Sequence, residues 1–319
     1  MFVQRLMNVN DHFSRRKSNF MQLLLAFYTF FLLIQYSVSE EASFVGKETW
    51  FAKVLDGCRT ARFGNTTSSD LKCYWVNDKL NIFKIEVLSK SPILVRYHQL
   101  IHRRDCRRLI GDVNSMKLEL AGVATTDPAV PLVHKTHRMA NSTWVDHEEF
   151  PSFKKLFNRL QRTILSLDLS KAENFQVLSY DRNGHYAPHY DYIDTDVMGT
   201  IAKEGNRLAT ILTVLQTAKH GGVTTFPMIN VNIRPTVGDV ILWHNMEPSL
   251  RKDIKSLHAA CPIIEGTKIA ASLWVRSKGQ ELRSTTTKKS VFSLSPFINP
   301  SLRPEDVALL TRKWERARS

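Results

Sequence analysis

The chain has 319 residues, 43% of them hydrophobic and 10% aromatic, enough for the core of one large domain or two small ones and too apolar for a disordered chain. Its formal charge is +14, but the lysines and arginines are scattered from Arg5 to Arg318 and no recognition motif accompanies them. That distribution argues against a nucleic-acid partner.

In chain order, Arg15, Arg16 and Lys17 precede an apolar run from Met21 to Ile34, and Ser37-Val38-Ser39 offers small residues for cleavage. This is the three-part pattern of a secretory signal peptide over residues 1–39. A run of about 14 residues is short of the roughly 20 that span a bilayer. The polar stretch before it keeps an uncleaved signal anchor open. Asn65-Thr66-Thr67 and Asn141-Ser142-Thr143 are glycosylation sequons, usable only in the lumen. The expected compartment is therefore the endoplasmic reticulum lumen, with secretion or anchoring still open. The ending Glu315-Arg316-Ala317-Arg318-Ser319 lacks a Lys-Asp-Glu-Leu-like signal, so retention is expected to need a partner or an anchor.

Residues 40–79 are too few for an independent domain. In an oxidising compartment Cys58 and Cys73 can close a loop of about 15 residues, worth on the order of 3 kcal/mol. Cys106 sits in a helix-like run, Arg104 to Leu109, and reads as a buried free thiol. No Cys-x-x-Cys or paired histidine spacing suggests zinc.

Ile82 to Leu88 and Ile93 to Tyr97 read as strands around a Ser89-Lys90-Ser91-Pro92 turn. Helix spacing follows over Asp105 to Ala121 (Leu109, Ile110, Val113, Met116, Leu120) and again over Phe153 to Leu167. From Phe175 the pattern turns to short strands: Gln176 to Ser179, His185 to Tyr190, Leu208 to Leu215, Gly222 to Phe226, Val231 to Pro235, Asp239 to Trp243, His258 to Ile264 and Lys268 to Val275. Eight such runs suit a jelly roll, in an α+β chain whose core is mostly β and whose helices buttress a sheet. Beyond Ser284 the tail is rich in Ser, Thr and Lys and leads to a surface helix expected over Pro304 to Arg316.

The chemistry centres on Gln176 to Tyr192. On a strand, residues i and i+2 face the same way, so His189 and Asp191 are expected to converge. With the later His258 they compose a 2-His-1-carboxylate triad of the kind that binds Fe(II) with positions left open. Lys268 follows the turn Glu265-Gly266-Thr267. If that turn is a three-residue hairpin loop, Lys268 pairs with Ile264, and His258, Ile264, Lys268 and Trp274 share one face. A bulge at Pro262 would break that parity.

The motifs Tyr186-x-Pro188-His189-x-Asp191, Gly205-Asn206-Arg207-x-Ala209-Thr210, Gly221-Gly222-x-Thr224-x-Phe226-Pro227, Gly238-Asp239 with Trp243 and Asn245, His258-Ala259-Ala260-Cys261-Pro262, Gly266-x-Lys268 and Gly279-Gln280-Glu281 resemble those of the prolyl 4-hydroxylase family of Fe(II)/2-oxoglutarate dioxygenases. The match is nearest the collagen-type α subunits and covers residues 80–282, which are identified as the catalytic domain. Residues 283–319 are left as a basic tail. The resemblance implies a double-stranded β-helix fold. It also implies hydroxylation of peptidyl proline to 4-hydroxyproline, coupled to conversion of 2-oxoglutarate to succinate and CO2, with L-ascorbate as a further cofactor. His189, Asp191 and His258 take the iron in that scheme, and Lys268 the distal carboxylate of 2-oxoglutarate. Tyr180 and Thr224 match positions that hydrogen-bond 2-oxoglutarate. Tyr186, Arg207 and Trp243 match positions near the peptide groove or pocket wall. The expected substrate is a Pro-rich or collagen-like polypeptide, and protein disulfide isomerase is a partner of the large family members. This chain has no room for their separate peptide-binding domain.

Family members carry a disulfide resembling Cys58–Cys73. They also bridge the cysteine matching Cys261 to one just after Gly-Gln-Glu, where this chain reads Leu282-Arg283-Ser284-Thr285 and lacks the partner. Two further departures are Ile269 after Lys268, where Trp is usual, and Arg276 in the closing Trp274-Val275-Arg276. A lysyl hydroxylase-like enzyme and an inactive peptide-binding relative remain as alternatives. The former typically has Arg at the position of Lys268.

Overall fold

The computed structural model describes residues 43–60, 73–78, 81–122, 135–196, 199–280 and 292–299. The signal segment, the Asn65 sequon and the tail helix expected over Pro304 to Arg316 lie outside them. Among the described residues no helix is long and apolar enough to cross a membrane.

Strands β1 (Cys73–Asp78), β2 (Asn81–Lys90), β3 (Ile93–His98), β4 (Glu119–Leu120), β5 (Arg138–Met139), β6 (Asn141–Val145), β7 (Phe175–Tyr180) and β8 (His185–His189) come first. They are followed by β9 (Arg207–Gln216), β10 (His220–Gly221), β11 (Thr224–Phe226), β12 (Val231–Ile233), β13 (Val240–His244), β14 (His258–Ala260), β15 (Ile263–Glu265) and β16 (Lys268–Arg276). Nine strands form a large sheet in the order β1-β2-β3-β13-β9-β16-β7-β6-β4, and five form a smaller one, β12-β11-β14-β8-β5. The expected mostly β, jelly-roll core is present.

Period-two alternation divides the large sheet into two faces. Along β16, Ile269, Ala271, Leu273 and Val275 point into the main core. Lys268, Ala270, Ser272 and Trp274 point the other way, toward the smaller sheet. The core is closed by helices α2 (Arg103–Ser115) and α3 (Pro151–Thr163), which follow α1 (Ala52–Thr60) in the chain. Their buried stripes are Cys106, Leu109 and Val113 on α2 and Phe153, Leu156, Leu160 and Thr163 on α3. Cys106 is the buried free thiol that was expected. The first helix stops six residues earlier than its apolar spacing suggested. Met116 turns extended, and Glu119 and Leu120 pair with Ser142 and Asn141 at the sheet edge instead.

Helix α1 rests on the outside of the smaller sheet, where Trp50 and Val54 bury against Ala187 and Ala259. A β carbon at Gly57 would meet Asn232 Oδ1 at 2.5 Å and Thr225 Oγ1 at 2.8 Å, so a larger residue here would have to displace both side chains. The contact corrects the disulfide. Cys58 is bonded to Cys261, not Cys73, because the seated helix holds the two α carbons 5.5 Å apart. Cys73 is exposed and free on the edge strand of the other sheet. Replacing both Cys58 and Cys261 with serine is expected to cost about 2–5 kcal/mol of stability. Cys73→Ser should leave the melting temperature unchanged.

Candidate active site

The smaller sheet and the facing half of the large one enclose a pocket. Its walls include Tyr180, Tyr186, His189, Asp191, Thr224, Trp243, His258, Lys268 and Trp274. Nine residues singled out from the sequence thus reach one cavity, although they come from six strands and one turn. β8 brings in His189, and β14 places His258 directly opposite it in the ladder. Strand β8 ends at His189, so Asp191 lies in the turn beyond it and strand parity is not what aims its carboxylate. The convergence holds all the same. His189 Nε2 is 3.7 Å from Asp191 Oδ1, and His258 Nε2 is 3.5 Å from Asp191 Oδ2.

The outer hydrogen bonds orient these three groups. His189 Nδ1 lies 2.7 Å from the Ala187 carbonyl oxygen, and His258 Nδ1 lies 2.9 Å from that of Ser256. A carbonyl can only accept, so each Nδ1 carries a proton, and each Nε2 is aimed at Asp191. The His189 pKa is pushed down to about 3, first by burial and then by His258, so its ring is neutral. Burial opposes ionisation of Asp191, but His258, His189 and Arg207 and the Thr210 hydroxyl hold its carboxyl below the ordinary range. Thr210 Oγ1 donates to Asp191 Oδ2 at 2.6 Å and accepts from Asn245 Nδ2 at 2.9 Å. Two imidazoles and one carboxylate, with ligand atoms all within 4.8 Å of one another, suit a divalent iron. Thr210→Val removes the proton that fixes Asp191. It is expected to weaken Fe(II) binding about 10- to 100-fold, measured by metal titration.

Lys268 occupies the deep end and is 2% exposed. Its Nζ donates to the Gly222 carbonyl at 2.8 Å and to Thr224 Oγ1 at 3.3 Å. No carboxylate among the described residues pairs with it, and burial pushes its pKa down to about 8. A buried ammonium set against neutral oxygens is a receptor for an anion. The route to this position differs from the hairpin expectation. Glu265-Gly266-Thr267 is a crossing between sheets. β15 pairs with β10, whereas Lys268 pairs with Tyr180 on β7. Pro262 lies between β14 and β15, and Ile264 is 41% exposed, away from the site. Lys268 and Trp274 still share a face because both belong to β16.

The aromatic residues form the walls. Tyr186 stacks on His189 with ring centroids 3.5 Å apart. Trp243 meets His258 edge-on at 4.7 Å. The indole nitrogens of Trp243 and Trp274 are buried without a partner among the described residues. Arg207 stands behind the wall. Its guanidinium lies 3.7 Å over the Trp274 ring and makes two 2.7 Å bonds to Glu173. Arg276 also meets Glu173, Nε to Oε1 at 2.9 Å, as an ion pair without hydrogen-bond alignment. Arg138 had no sequence signal at all. It reaches the pocket from the two-residue strand β5, lies 4.5 Å over the Tyr186 ring and donates to Gln176 Oε1 at 2.7 Å. Thr210 and Asn245 belong to the quoted motifs but gave no hint of their role as a relay to Asp191.

Residues 175–276 match the 2OG-Fe(II) oxygenase superfamily. The prolyl 4-hydroxylase subunit alpha-2 of Caenorhabditis elegans is 29% identical over 241 residues, 72% of this chain and 44% of that protein. The subunit alpha-2 of Gallus gallus is 32% identical over 200 residues, 62% of this chain and 37% of that protein. The chain thus spans less than half the length of these curated relatives. Among solved structures, the viral collagen prolyl hydroxylase of Paramecium Bursaria Chlorella virus-1 in its 2OG complex aligns with a TM-score of 0.42 at 25% identity. That alignment covers 57% of this chain and 94% of the viral one.

Proposed function

We propose that this chain, whose residues 175–276 form a 2OG-Fe(II) oxygenase domain similar to that of prolyl 4-hydroxylase α subunits, hydroxylates peptidyl proline at C4. With Fe(II) as the retained cofactor, O2 and 2-oxoglutarate would be consumed with the proline, one oxygen atom going to C4 and the other to succinate, and CO2 would be released. One observation carries the reading: the His189-Asp191-His258 cluster and an uncompensated Lys268 ammonium open into the same buried pocket.

The residues divide the work. His189, Asp191 and His258 would hold the iron, which when bound supplies the activation of O2. Lys268 and Thr224 would receive the distal carboxylate of 2-oxoglutarate, the ammonium by charge and the hydroxyl by hydrogen bonding. Tyr180, 4% exposed, presents its phenol to the same cavity, and burial keeps it protonated by raising its pKa to about 12. Trp243 and Trp274 exclude water, and each offers an unused N–H that a substrate carbonyl can accept. Arg207 acts on this wall from behind, by stacking on Trp274, rather than by meeting peptide directly.

The finer reading is a procollagen-type substrate in the secretory lumen. The match to collagen-type motifs supports the substrate class, and the names of the relatives support proline as the residue modified. The signal-like N-terminus and the Cys58–Cys261 bond support an oxidising compartment. Ascorbate and a protein disulfide isomerase partner are part of the same proposal. The test is to incubate purified protein with Fe(II), ascorbate and 2-oxoglutarate plus (Pro-Pro-Gly)-type peptide, a Lys-containing collagen-like peptide, or no peptide. CO2 release and peptide mass are then followed. One added oxygen on proline at C4, dependent on peptide, is expected. Oxygen on lysine instead, or peptide binding without CO2 release, would overturn the assignment.

A further inference from the structure

Leu88 of β2 and Leu94 of β3 pack against Val231 and Ile233 of β12, the last strand of the smaller sheet, and beyond them the same face of the large sheet opens over β3, β2 and β1. A groove of about 1670 Å³ lies over this bare stretch, floored by Lys84, Glu86, Arg96 and His98 and flanked by Asn232 and Ile233 of β12. Its far wall is the start of α2, with Arg103, Arg104 and Arg108, together with Lys155 of α3. A second hollow of about 850 Å³ runs on between α2 and α3 and shares Arg108 and Lys155 with the first. Leaving Lys268 aside, ten lysines and arginines line the two against three carboxylates, Glu86, Asp105 and Asp112. The compensation is unevenly placed. Asp239 engages Arg96, and Asp105 engages Arg108 and Lys155, whereas Arg103 and Arg104 are exposed and make no ion pair among the described residues. Such a field attracts a partner of opposite sign.

We propose that this track is the docking surface for a carboxylate-rich polypeptide segment that also carries apolar side chains. The sign of the charge selects an acidic partner, and it rules out the chain's own stretch beyond residue 282, which is itself basic. Two further features select a polypeptide over a sulfated polysaccharide. Trp75 and Ile82, at the lip of the groove, are 74% and 70% exposed, and the aliphatic side chain beside the indole suits contact with apolar side chains of a polypeptide. Among the described residues strand β1 is the edge of the nine-stranded sheet, so its outer N–H and C=O groups can pair with an added strand. Trp75 and Ile82 share the sheet face of Lys84, Glu86 and Arg96, so a segment that presents carboxylates and apolar side chains together on that one face would meet both the cations and the apolar lip.

The experiment is fluorescence anisotropy with a short fluorescein-labelled peptide of repeated Glu-Glu-Leu-Leu, which as a strand carries both Glu and Leu on each face. A Lys–Leu peptide of the same pattern and a heparin oligosaccharide are compared, in the absence of metal and 2-oxoglutarate. Because no turnover is involved, the result stands apart from the catalytic reading. The Glu–Leu peptide is expected to bind at low salt at least about tenfold more tightly than Lys–Leu, and to weaken as salt rises. Arg103→Glu combined with Arg104→Glu should lower its affinity at least about tenfold and flatten the salt dependence. These side chains are exposed, so the fold should survive, and an unchanged melting temperature checks this. Trp75→Ser should weaken the peptide but not heparin. Heparin binding more tightly than the peptide with no effect of Trp75→Ser would make this a polysaccharide surface and overturn the proposal. Equal binding of Glu–Leu and Lys–Leu would overturn it as well.

Discussion

His258→Ala is expected to eliminate peptide hydroxylation, with a loss well beyond the 10- to 100-fold typical of changes to groups that only orient a metal ligand. The side chain is one of three donors, and the other two cannot replace it. His189 Nε2 and Asp191 Oδ1 already face each other at 3.7 Å from the opposite side of the cluster. His189→Ala and Asp191→Ala should fail in the same way. The imidazole of His258 is packed between Phe226 and Trp243, so truncation to alanine also opens a cavity. His258→Gln, which keeps most of the volume, separates the two effects: it should melt near the unmodified protein yet remain inactive. Fe(II) binding and CO2 release are the measurements. Near-normal turnover in either His258 variant would remove the triad from the mechanism.

Lys268→Ala should spare iron binding and cripple use of 2-oxoglutarate. Stranding one partner of a buried charge pair costs roughly 3–5 kcal/mol. At about 1.4 kcal/mol per decade, that is on the order of a hundredfold to a few thousandfold in apparent affinity. The readout is the 2-oxoglutarate concentration for half-maximal decarboxylation at saturating Fe(II) and peptide. Lys268→Arg should do less harm because charge survives, although the wider guanidinium must fit behind Thr224. The shift of Lys268 from 10.5 to about 8 adds a pH dependence. Below pH 8 the ammonium is intact, and as pH rises through 8 the cosubstrate loses its partner and apparent affinity falls. Stability without cosubstrate moves oppositely. Between about 8 and 10.5 the unfolded chain still holds the proton that the folded chain has released, so stability rises with pH across that window. At pH 7, Lys268→Met should therefore melt higher than the unmodified protein while showing no added stability from 2-oxoglutarate. An unchanged half-maximal concentration in Lys268→Ala would show that Lys268 does not anchor the cosubstrate.

The candidate iron ligands were legible because their chemistry is concentrated in few residue types. His189, Asp191 and His258 stand out against apolar strands, and Lys268 is an isolated charge at the head of the buried strand β16. Face alternation along single strands was also readable, which is why Lys268 and Trp274 fell together. What failed were two inferences about which element meets which. The Glu265-Gly266-Thr267 turn has the composition of a hairpin, yet hydrogen bonding to Tyr180 carries β16 into the other sheet. Nearness in sequence likewise pointed Cys58 toward Cys73, whereas the seating of α1 on the smaller sheet decided for Cys261. Arg138 was invisible for the same reason. Nothing local distinguishes an arginine whose importance comes from Gln176 and Tyr186, both distant in the chain.

The Cys58–Cys261 bond also sets an order of events during synthesis. Its two cysteines are separated by 203 residues, so Cys58 emerges early and must wait until nearly the whole catalytic fold has been made. Cys73 and Cys106 appear in the meantime, and closing the loop of about 15 residues to Cys73 is entropically easier by roughly 2 kcal/mol than closing the long one. The partner that arrives first is thus the wrong one. Reaching the final pairing requires either that Cys58 stay reduced through translation or that an early bond be exchanged by thiolate attack once β14 has formed. The linkage then serves as a timestamp of completion: a chain that carries it has already assembled the strand that delivers His258.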